Sequence, residues 1–305
     1  MMRMTKEAAP KKKRRDLSAL FFVGPYMTVF FVFLVLLIII SAILSLTYFD
    51  TINAPRWLAF QNYVTLFTQD SDFMQYALPT TIKYALLIGP IGYMISFFMA
   101  WLLAQLTHKV RTVLAIILYS PSLTSGVLMS VIWKVVFSGD TRGYLNYFLL
   151  NLGFINEPVQ WLQNTDFIFG IMVFVGIWSS MSVGFLAMLS GILNINKDLY
   201  EAAYVDGMKS KWQEIFYITI PSMKPQMLFG AVMALVGTFN AAGIASALSG
   251  STPPPQMAGW LIVDHMNDYG FARYEMGYAS AISVILLLIV LGFNRVATKL
   301  FGERK

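Results

Sequence analysis

The side chains that most often perform bond chemistry are scarce in this sequence and lie far apart. The chain has no cysteine and two histidines, His108 and His265. Disulfides, thiol nucleophiles and zinc–thiolate sites are therefore excluded. The sequence also lacks a G-x-x-x-x-G-K-[ST] stretch that would cradle nucleotide phosphates and an H-E-x-x-H pair that would bind zinc. No catalytic residue and no metal site is predicted.

Uncharged polar side chains occur instead inside long apolar segments. Residues 236–246 read VGTFNAAGIAS, in which Asn240 is the single amide, and Trp178 is followed by serines that begin with Ser179. Such groups exchange hydrogen bonds with a neutral, polyhydroxylated solute without trapping an ion. They are candidate solute contacts. The alternatives are that Asn240 bonds across a helix interface and that Trp178 only packs or lies in an interfacial belt.

A charged, glycine-broken stretch, EAAYVDGMKSKWQEIFYITIP at 201–221, separates two apolar segments. Its first helix is predicted to begin at Asp198, with Glu201 completing a capping box. Gly207 supplies the left-handed backbone that ends a helix at low cost.

A second short helix is predicted from Ser210, with Gln213 repeating the capping box. Its apolar positions fall at helical spacing, and two prolines are expected to stop it. These residues are Trp212, Ile215, Phe216 and Thr219 for the stripe and Pro221 and Pro225 for the stop. The pattern predicts two amphipathic helices that dock on another protein. The alternative is an interfacial pair lying on lipid headgroups.

The elements that carry these residues are predicted to cross a membrane. The chain is 57% hydrophobic and 12% charged, about half the charged fraction of a soluble domain. About six apolar segments are long enough to span a bilayer as helices. They are 20–47, 79–106, 113–136, 167–193, 227–247 and 277–300.

Charge distribution predicts the orientation of these spans. With the N-terminus inside, seventeen Lys and Arg residues fall on the inner side and three on the outer side. The run from Lys11 to Arg15 is then a topology signal, not a nucleic-acid site. Both termini and the loop at about 194–225 are predicted to be cytoplasmic. Lys83 and Lys134 lie at the outer ends of spans, where their long stems can snorkel.

The centres of the predicted spans contain no Asp, Glu, Lys, Arg or His. Carriers driven by an ion gradient usually need such residues in the membrane, so this class is disfavoured, although backbone carbonyls and hydroxyls can bind sodium. A membrane-embedded enzyme is disfavoured because the two histidines fall on opposite sides of the predicted membrane. The sequence therefore offers no cluster of His, Asp and Glu that could act as a catalytic site.

Glu201-Ala-Ala-x-x-x-Gly207 followed by Ile218-x-Ile-Pro221 resembles the EAA signature of membrane subunits in binding-protein-dependent ATP-binding-cassette (ABC) importers. Further blocks are similar to the sugar-permease branch, which includes the maltose and glycerol-phosphate importers. They are Arg111-Thr with Tyr119-Ser-Pro, Ile132-Trp-Lys-x-x-Phe137, Leu199-Tyr-Glu and Gly277-Tyr-Ala-Ser-Ala. The chain departs from that pattern in a Gly207–Ile218 gap one residue longer and in Ile220 replacing Leu.

The resemblance implies roles for particular residues. The EAA loop would dock on a cytoplasmic ATPase through Glu201, Ala202, Ala203, Asp206 and Gly207, unless Glu201 only caps its own helix. The solute would meet Asn240, Phe239 and Gly243 in the fifth span, with Trp178 and Ser179 as further candidates from the fourth.

The resemblance also implies a fold and an assembly. The fold would be the all-α type I ABC importer transmembrane domain over 20–301, between a basic tail at 1–19 and a short end at 302–305. Expected partners are a second homologous permease, two ABC ATPases, an extracytoplasmic solute-binding protein, membrane lipid and a sugar. ATP and Mg²⁺ are expected on the ATPase, with no cofactor on this chain. The location would be a bacterial-type cytoplasmic membrane.

Overall fold

The computed structural model describes residues 17–124 and 126–301, apart from the side chains of 17–20, 126–129, 300 and 301. The basic tail up to residue 16 and the last four residues lie outside this range. The described chain is almost entirely helical, and its only strands there are the two-residue β1 (Thr47–Tyr48) and β2 (Arg56–Trp57). The prediction of an all-helical fold is confirmed, whereas this small hairpin was not predicted.

The N-terminal part is one long apolar helix followed by the hairpin. Its segments are α1 (Leu17–Phe30), a π-helical turn (Phe31–Val35), α2 (Leu36–Leu44), the two strands and α3 (Gln61–Thr68). Thr47 pairs with Trp57 across the antiparallel strands. Asn62 fastens the hairpin, because its Nδ2 donates to the backbone oxygens of Ser45 at 2.8 Å and Thr47 at 2.9 Å.

The middle of the chain contains the second, third and fourth apolar segments. Its helical elements are a π turn (Phe73–Ala77) continuing into α4 (Leu78–Ala104), then α5 (His108–Leu123), α6 (Gly126–Val136), α7 (Tyr144–Asn151), α8 (Thr165–Trp178) and α9 (Val183–Leu193). Of these, α7 lies in the connection between the third and fourth apolar segments. An Asn at the start of α8 caps it, since the Asn164 side chain accepts the backbone N–H of Asp166.

The remaining helices form the EAA region and the C-terminal third. They are α10 (Lys197–Val205), α11 (Lys211–Glu214), a π turn (Ile215–Thr219), α12 (Ile220–Ser222), α13 (Lys224–Phe239), α14 (Ile244–Ser249), a 3-10 turn (Pro255–Met257), α15 (Ile262–Asn267), a π turn (Asp268–Ala272) and α16 (Met276–Phe301). We call residues 196–222 the elbow. We call residues 250–275 the outer segment, since the charge distribution predicts that they lie outside the cell.

Four helices in the described part of the chain are long and apolar enough to cross a membrane: Phe21–Leu44, Phe73–Ala104, Thr165–Leu193 and Met276–Lys299. The other two predicted spans are not single long helices. The third is divided into α5 and α6, and the fifth into α13 and α14. The prediction was about six spanning helices; the described residues show four such helices and two divided segments, and the segment Thr165–Leu193 is itself interrupted between α8 and α9. Pro121 and Gly243 at the divisions disfavour unbroken helix.

The packed centre of the molecule is built from α4, α9, α13 and α16. α4 packs against α9 and α13, and α13 packs against α16, while α2 lies on the far side of α16. Small residues allow the closest approach: a Cβ on Gly184 of α9 would lie 3.1 Å from the Cα of Gly230 in α13. Such small-residue contacts are typical of helices that associate in lipid.

Candidate functional site

A cavity of about 530 Å³ lies where three helical segments are interrupted. The described interruptions lie at Thr124, directly after α5, at 179–182 and at 240–243. These breaks and the last turn of α5 contribute Pro121, Ser122, Thr124, Ser179, Ser180, Ser182, Ala241, Ala242 and Gly243 to the wall, and α4 adds Tyr84, Ile88, Gly92, Tyr93 and Ser96. The cavity is thus the place where the three broken helices meet α4.

The chemistry of this wall is uncharged. No wall residue in the described part of the chain carries a formal charge, and ten of them carry a hydroxyl group. Hydroxyls both donate and accept hydrogen bonds. The arrangement can exchange hydrogen bonds with a neutral hydroxylated molecule, but it offers no counter-charge to an ion.

The breaks have local causes in the sequence. Gly243 has φ +70°, in the left-handed region that glycine enters easily. Ser179 has φ −89° and ψ 1°, and Ser182 is extended, so α8 stops before α9 begins. Unwound backbone at membrane depth is tolerated where it lines a cavity, because its polar groups can find partners there.

Glycine also sets the distance between α8 and α4 beside the cavity. A Cβ on Gly176 would lie 2.3 Å from the Cδ1 of Ile88 and 2.6 Å from the hydroxyl of Tyr84. A Cβ on Gly92 would lie 2.6 Å from the Cβ of Ser180. Both glycines are wall residues, so the shape of the cavity depends on them.

The predicted solute residues divide into two groups. Ser179 and Gly243 are wall residues, whereas Trp178, Phe239 and Asn240 are not. Asn240 is exposed at the end of α13, where its Nδ2 donates to the backbone oxygen of Val236 at 2.9 Å, and it immediately precedes wall residues. Trp178 is half-exposed and meets Trp133 edge-on at 6.1 Å.

Phe239, which was predicted to contact the solute, lies away from the cavity wall. Its side chain is 1% exposed, and its ring lies 5.0 Å from that of Phe293 in α16. The residue therefore belongs to the packed centre instead of the cavity wall. The physical reason is helical rotation: Phe239 is on the face of α13 that is turned toward α16, away from the broken segment.

The predicted docking residues lie on the surface of the elbow. Glu201, Ala202, Asp206 and Gly207 are exposed, and Ala203 is half-buried. Glu201 makes no hydrogen bond or ion pair with any residue that the structure describes. Gly207 has φ +94°, as expected for a residue that ends α10. A Cβ at this position would meet nothing within 4 Å, so its constraint comes from the backbone alone.

The cap of α10 differs from the prediction. Asn196, not Asp198, is the N-cap, and its side chain accepts the backbone N–H of Asp198 at 3.1 Å. The helix begins early enough that Glu201 is past the capping position, so its alternative role as a cap is not observed. The second capping box is confirmed: Ser210 accepts the N–H of Trp212 at 3.3 Å, and Gln213 accepts that of Ser210 at 3.2 Å.

The second helix of the elbow is longer and differently oriented than predicted. It continues through Pro221 to Ser222, because the backbone widens into a π turn at Ile215–Thr219. A single inserted residue is commonly absorbed in a helix as such a turn, which fits the gap after Gly207 being one residue longer than usual. The predicted stripe is split: Ile215 and Thr219 are buried, while Trp212 and Phe216 are exposed and stacked.

A polar cluster holds the two helices of the elbow together. Glu214 is almost fully buried, and its Oε2 accepts from the Lys211 ammonium at 2.6 Å and from the Tyr204 hydroxyl at 2.9 Å. The hydrogen bond to Glu214, with a second to Tyr204, raises the pKa of Lys211. Tyr200 reaches Thr219 at 3.1 Å. The i, i+3 spacing of Lys211 and Glu214 could have predicted their ion pair. The contacts of Tyr200 and Tyr204 join residues on opposite sides of the bend, so no local spacing predicts them.

The outer segment is held by a second polar cluster, which sequence reasoning missed. The buried Asp70, just before α4, accepts from the His265 Nε2 at 2.8 Å, the Tyr278 hydroxyl at 2.7 Å and the Phe73 backbone N–H at 2.9 Å. Trp260 donates to the His265 Nδ1, which leaves the ring hydrogen on Nε2.

Burial acts to raise the pKa of the Asp70 carboxyl. The hydrogen bonds from His265, the Phe73 N–H and Tyr278 outweigh that effect and lower the pKa to about 2. Asp70 and His265 are 195 positions apart, so no local pattern could have joined them.

Fold and cavity together define a multi-pass helical membrane protein with an uncharged chamber between interrupted helices. The chain belongs to the family of binding-protein-dependent transport system inner membrane components, whose sequence model matches residues 92–300. That range contains all three interruptions and the elbow. The resemblance recognised from the EAA signature is therefore confirmed.

Relatives that match over most of the chain include two named sugar permeases. The arabinooligosaccharides transport system permease protein AraP of Bacillus subtilis is 28% identical over 93% of this chain and 88% of its own length. The lactose transport system permease protein LacF of Rhizobium radiobacter is 26% identical over 96% of this chain and 97% of its own length.

Two solved structures share the fold. A bacterial alginate ABC transporter in complex with an alginate pentasaccharide-bound periplasmic protein matches with a TM-score of 0.75 and 22% identity, covering 93% of this chain and 95% of that chain. A bacterial ABC transporter involved in the import of the acidic polysaccharide alginate matches with a TM-score of 0.73 and 25% identity, covering 93% and 97%. The fold is that of a type I ABC importer permease.

Proposed function

We propose that this chain is one of two permease subunits in an ATP-driven importer for a neutral sugar or oligosaccharide. The observation that carries the proposal is the uncharged, hydroxyl-rich cavity at three helix interruptions in a member of this family. A binding protein outside the cell would deliver the solute. The second permease would complete the pathway, and two ATPase subunits would drive it, with ATP and Mg²⁺ bound to them.

The solute class follows from the wall and from the relatives. Arabinooligosaccharides and lactose, which name the systems of two relatives, are uncharged and rich in hydroxyls. Ser179 and Gly243 are our solute-contacting residues within the wall, and the exposed amide of Asn240 adjoins it. The alginate importer of the same fold is named for an acidic polysaccharide. A wall without cations favours the neutral class.

The membrane arrangement that we propose has six spans, of which the third, fourth and fifth are interrupted. Both termini and the elbow then lie in the cytoplasm, in accord with the seventeen inner against three outer Lys and Arg residues. Discontinuous spans suit a solute pathway because their free backbone groups can face it.

We assign the ATPase contact to Glu201, Ala202, Ala203, Asp206 and Gly207. The two alanines allow a close approach, and the carboxylate of Glu201 is exposed and can accept a charge-assisted hydrogen bond. The stacked rings of Trp212 and Phe216 extend the same exposed elbow. Nucleotide-driven closure of the ATPases would move the elbow, and with it α13 and the fifth-span interruption.

The test is Gly207→Val in a complex reconstituted in liposomes with its ATPases, second permease and binding protein. A β-branched residue in the left-handed region costs about 1 to 2 kcal/mol, which shifts the end of α10. We expect uptake of radiolabelled lactose or arabinotriose and the ATPase activity stimulated by the binding protein to fall together.

Gly153→Val is the matched control. Gly153 also has a positive φ, of 73°, and an added Cβ would also meet nothing within 4 Å, but the residue lies between α7 and α8. It should leave uptake and stimulated ATPase activity unchanged. Uptake that persists without ATP and follows an ion gradient would reject the proposal in favour of a secondary carrier.

A further inference from the structure

The interruption of the fifth span needs a partner for its freed backbone groups. The stretch 240–243 leaves the helical path between α13 and α14, and Ala241, Ala242 and Gly243 in it form part of the cavity wall. An N–H released from a helix and buried must be bonded elsewhere. Whatever accepts this N–H also fixes where the wall lies.

Asp264 of the outer segment is that partner. Its Oδ1 accepts a short hydrogen bond from the backbone N–H of Gly243, and its Oδ2 accepts the N–H of Leu261 at 3.1 Å. Asp264 is 6% exposed and forms no ion pair with a described residue. Burial raises the pKa of the Asp264 carboxyl, and the N–H groups of Gly243 and Leu261 offset part of that effect. These two bonds come from two segments and fix both oxygens in direction.

Capping of α15 alone does not account for this arrangement. The bond to Leu261 is the local cap, since Leu261 immediately precedes α15. It uses one carboxylate oxygen. The other oxygen reaches 21 positions back along the chain to Gly243, so the residue joins the outer segment to the cavity wall.

The helix that carries Asp264 is itself fixed on two sides. The backbone N–H of Ile262 donates to the Thr81 hydroxyl in α4 at 2.8 Å, and His265 bonds Asp70. The outer segment also lies directly on α14, where a Cβ on Gly259 would come within 2.7 Å of the Cβ of Ala245. Asp264 is thus carried by a helix that is bonded to α4 and to Asp70, and from there it bonds the fifth-span interruption.

We infer that Asp264 is a positioning residue for the solute pathway: it holds the fifth-span interruption so that Ala241 to Gly243 form the cavity wall. The inference deepens the proposed function, on which its transport test rests. It assigns the outer segment a role in shaping the solute site, in addition to any contact with a binding protein.

The first test reports the wall without requiring transport. Because this chain has no native cysteine, a maleimide applied to the reconstituted complex can label it only at Ala242→Cys, and the label on this chain is measured after the subunits are separated. Asp264→Asn should change its labelling rate at least about threefold, since an amide has one acceptor oxygen for two N–H groups. Ser182→Cys, on another interruption of the same wall, should be unaffected.

Asp268→Asn is the matched carboxylate-to-amide control in the same segment, where Asp268 pairs with Arg273 at 2.7 Å near the surface. It should leave both labelling rates unchanged. Equal labelling of Ala242→Cys in the Asp264→Asn and Asp268→Asn complexes would overturn the inference. Equal changes at Ala242→Cys and Ser182→Cys would also overturn it, because they would indicate general loosening.

The second test uses uptake of lactose or arabinotriose, whichever the wild-type complex imports. Asp264→Asn should raise the half-saturating concentration roughly tenfold, as expected for one lost charge-assisted hydrogen bond at the wall. A purely structural role would instead lower the amount of assembled complex and the maximal rate together.

A double-substitution cycle separates action through Gly243 from action elsewhere. Gly243→Ala strains the same break because of the positive φ. In that background Asp264→Asn should add little, and fully multiplicative effects on half-saturation would refute the inference. If the wild-type complex imports neither sugar, the proposed function fails while the labelling test still decides the role of Asp264.

Discussion

The elbow and the outer segment are both polar interruptions between apolar helices, but they differ in which side chains they bury and which they expose. The elbow exposes the aromatic residues Trp212, Phe216 and Tyr217, with Trp212 63% exposed, and its bend is stabilised by an ion pair whose lysine side chain is 59% exposed. The outer segment buries Asp264 and His265, which are 6% and 2% exposed, and bonds them to distant parts of the chain, while its Asp268 and Arg273 pair near the surface.

This difference indicates which surface of the chain a docking partner is expected to cover. An exposed aromatic pair on a loop rich in charges is unusual for a finished surface and suits a docking partner. A buried carboxylate whose oxygens already accept hydrogen bonds within the chain needs no docking partner. We therefore expect the elbow, and not the buried cluster of the outer segment, to be the part that another polypeptide covers.

The largest expected effect contrasts two tryptophans. Trp260→Ala removes a side chain that is 3% exposed and should lower the unfolding free energy by about 3 to 5 kcal/mol. Trp212→Ala should change it by less than about 0.5 kcal/mol but weaken retention of the ATPase subunits. Thermal unfolding of the purified chain and copurification of the ATPase measure the two effects. Equal losses of unfolding free energy in Trp260→Ala and Trp212→Ala would contradict the difference between the outer segment and the elbow.

An intermediate effect concerns Asp70. Its pKa is lowered from 3.8 to about 2, so its stabilising contribution is complete above pH 3.8 and is lost as the pH falls toward 2. At neutral pH, Asp70→Asn should lower the unfolding free energy by about 2 kcal/mol. The difference between wild type and variant should stay constant down to about pH 5 and shrink below about pH 4.

Asp72→Asn is the control for this experiment, because Asp72 lies two positions away and is partly exposed. It should show neither the loss at neutral pH nor the narrowing in acid. A constant difference for Asp70→Asn throughout the acid range would mean that packing, not the charge of Asp70, stabilises the outer segment.

The smallest effect is expected at the elbow. The Lys211 side chain is 59% exposed, so a double-substitution cycle of Lys211→Met and Glu214→Gln should give a coupling energy below about 1 kcal/mol that weakens with added salt. Thermal unfolding at low and high ionic strength measures it. A coupling of several kcal/mol that salt leaves unchanged would show that the elbow is as firmly closed as the outer segment.

Local patterns were sufficient for the features that depend on neighbouring residues. The Ser210 and Gln213 capping box and the positive φ of Gly207 are confirmed, because capping and backbone strain act over one helical turn. Local reasoning failed where two local signals competed. Asn196 displaced Asp198 as the cap of α10, and a π turn carried the second helix past Pro221.

The sequence by itself determined that this is an apolar, helical membrane chain with an EAA elbow, because hydrophobic length and a contiguous motif are properties of the chain alone. Only the tertiary structure decided which parts of the chain come together. Three interruptions lie at one cavity, Phe239 lies in the core, and Asp264 accepts a hydrogen bond from Gly243. Those meetings depend on how helices rotate and pack against one another. A rotation of one residue along a helix turns a side chain by about 100°, from wall to core.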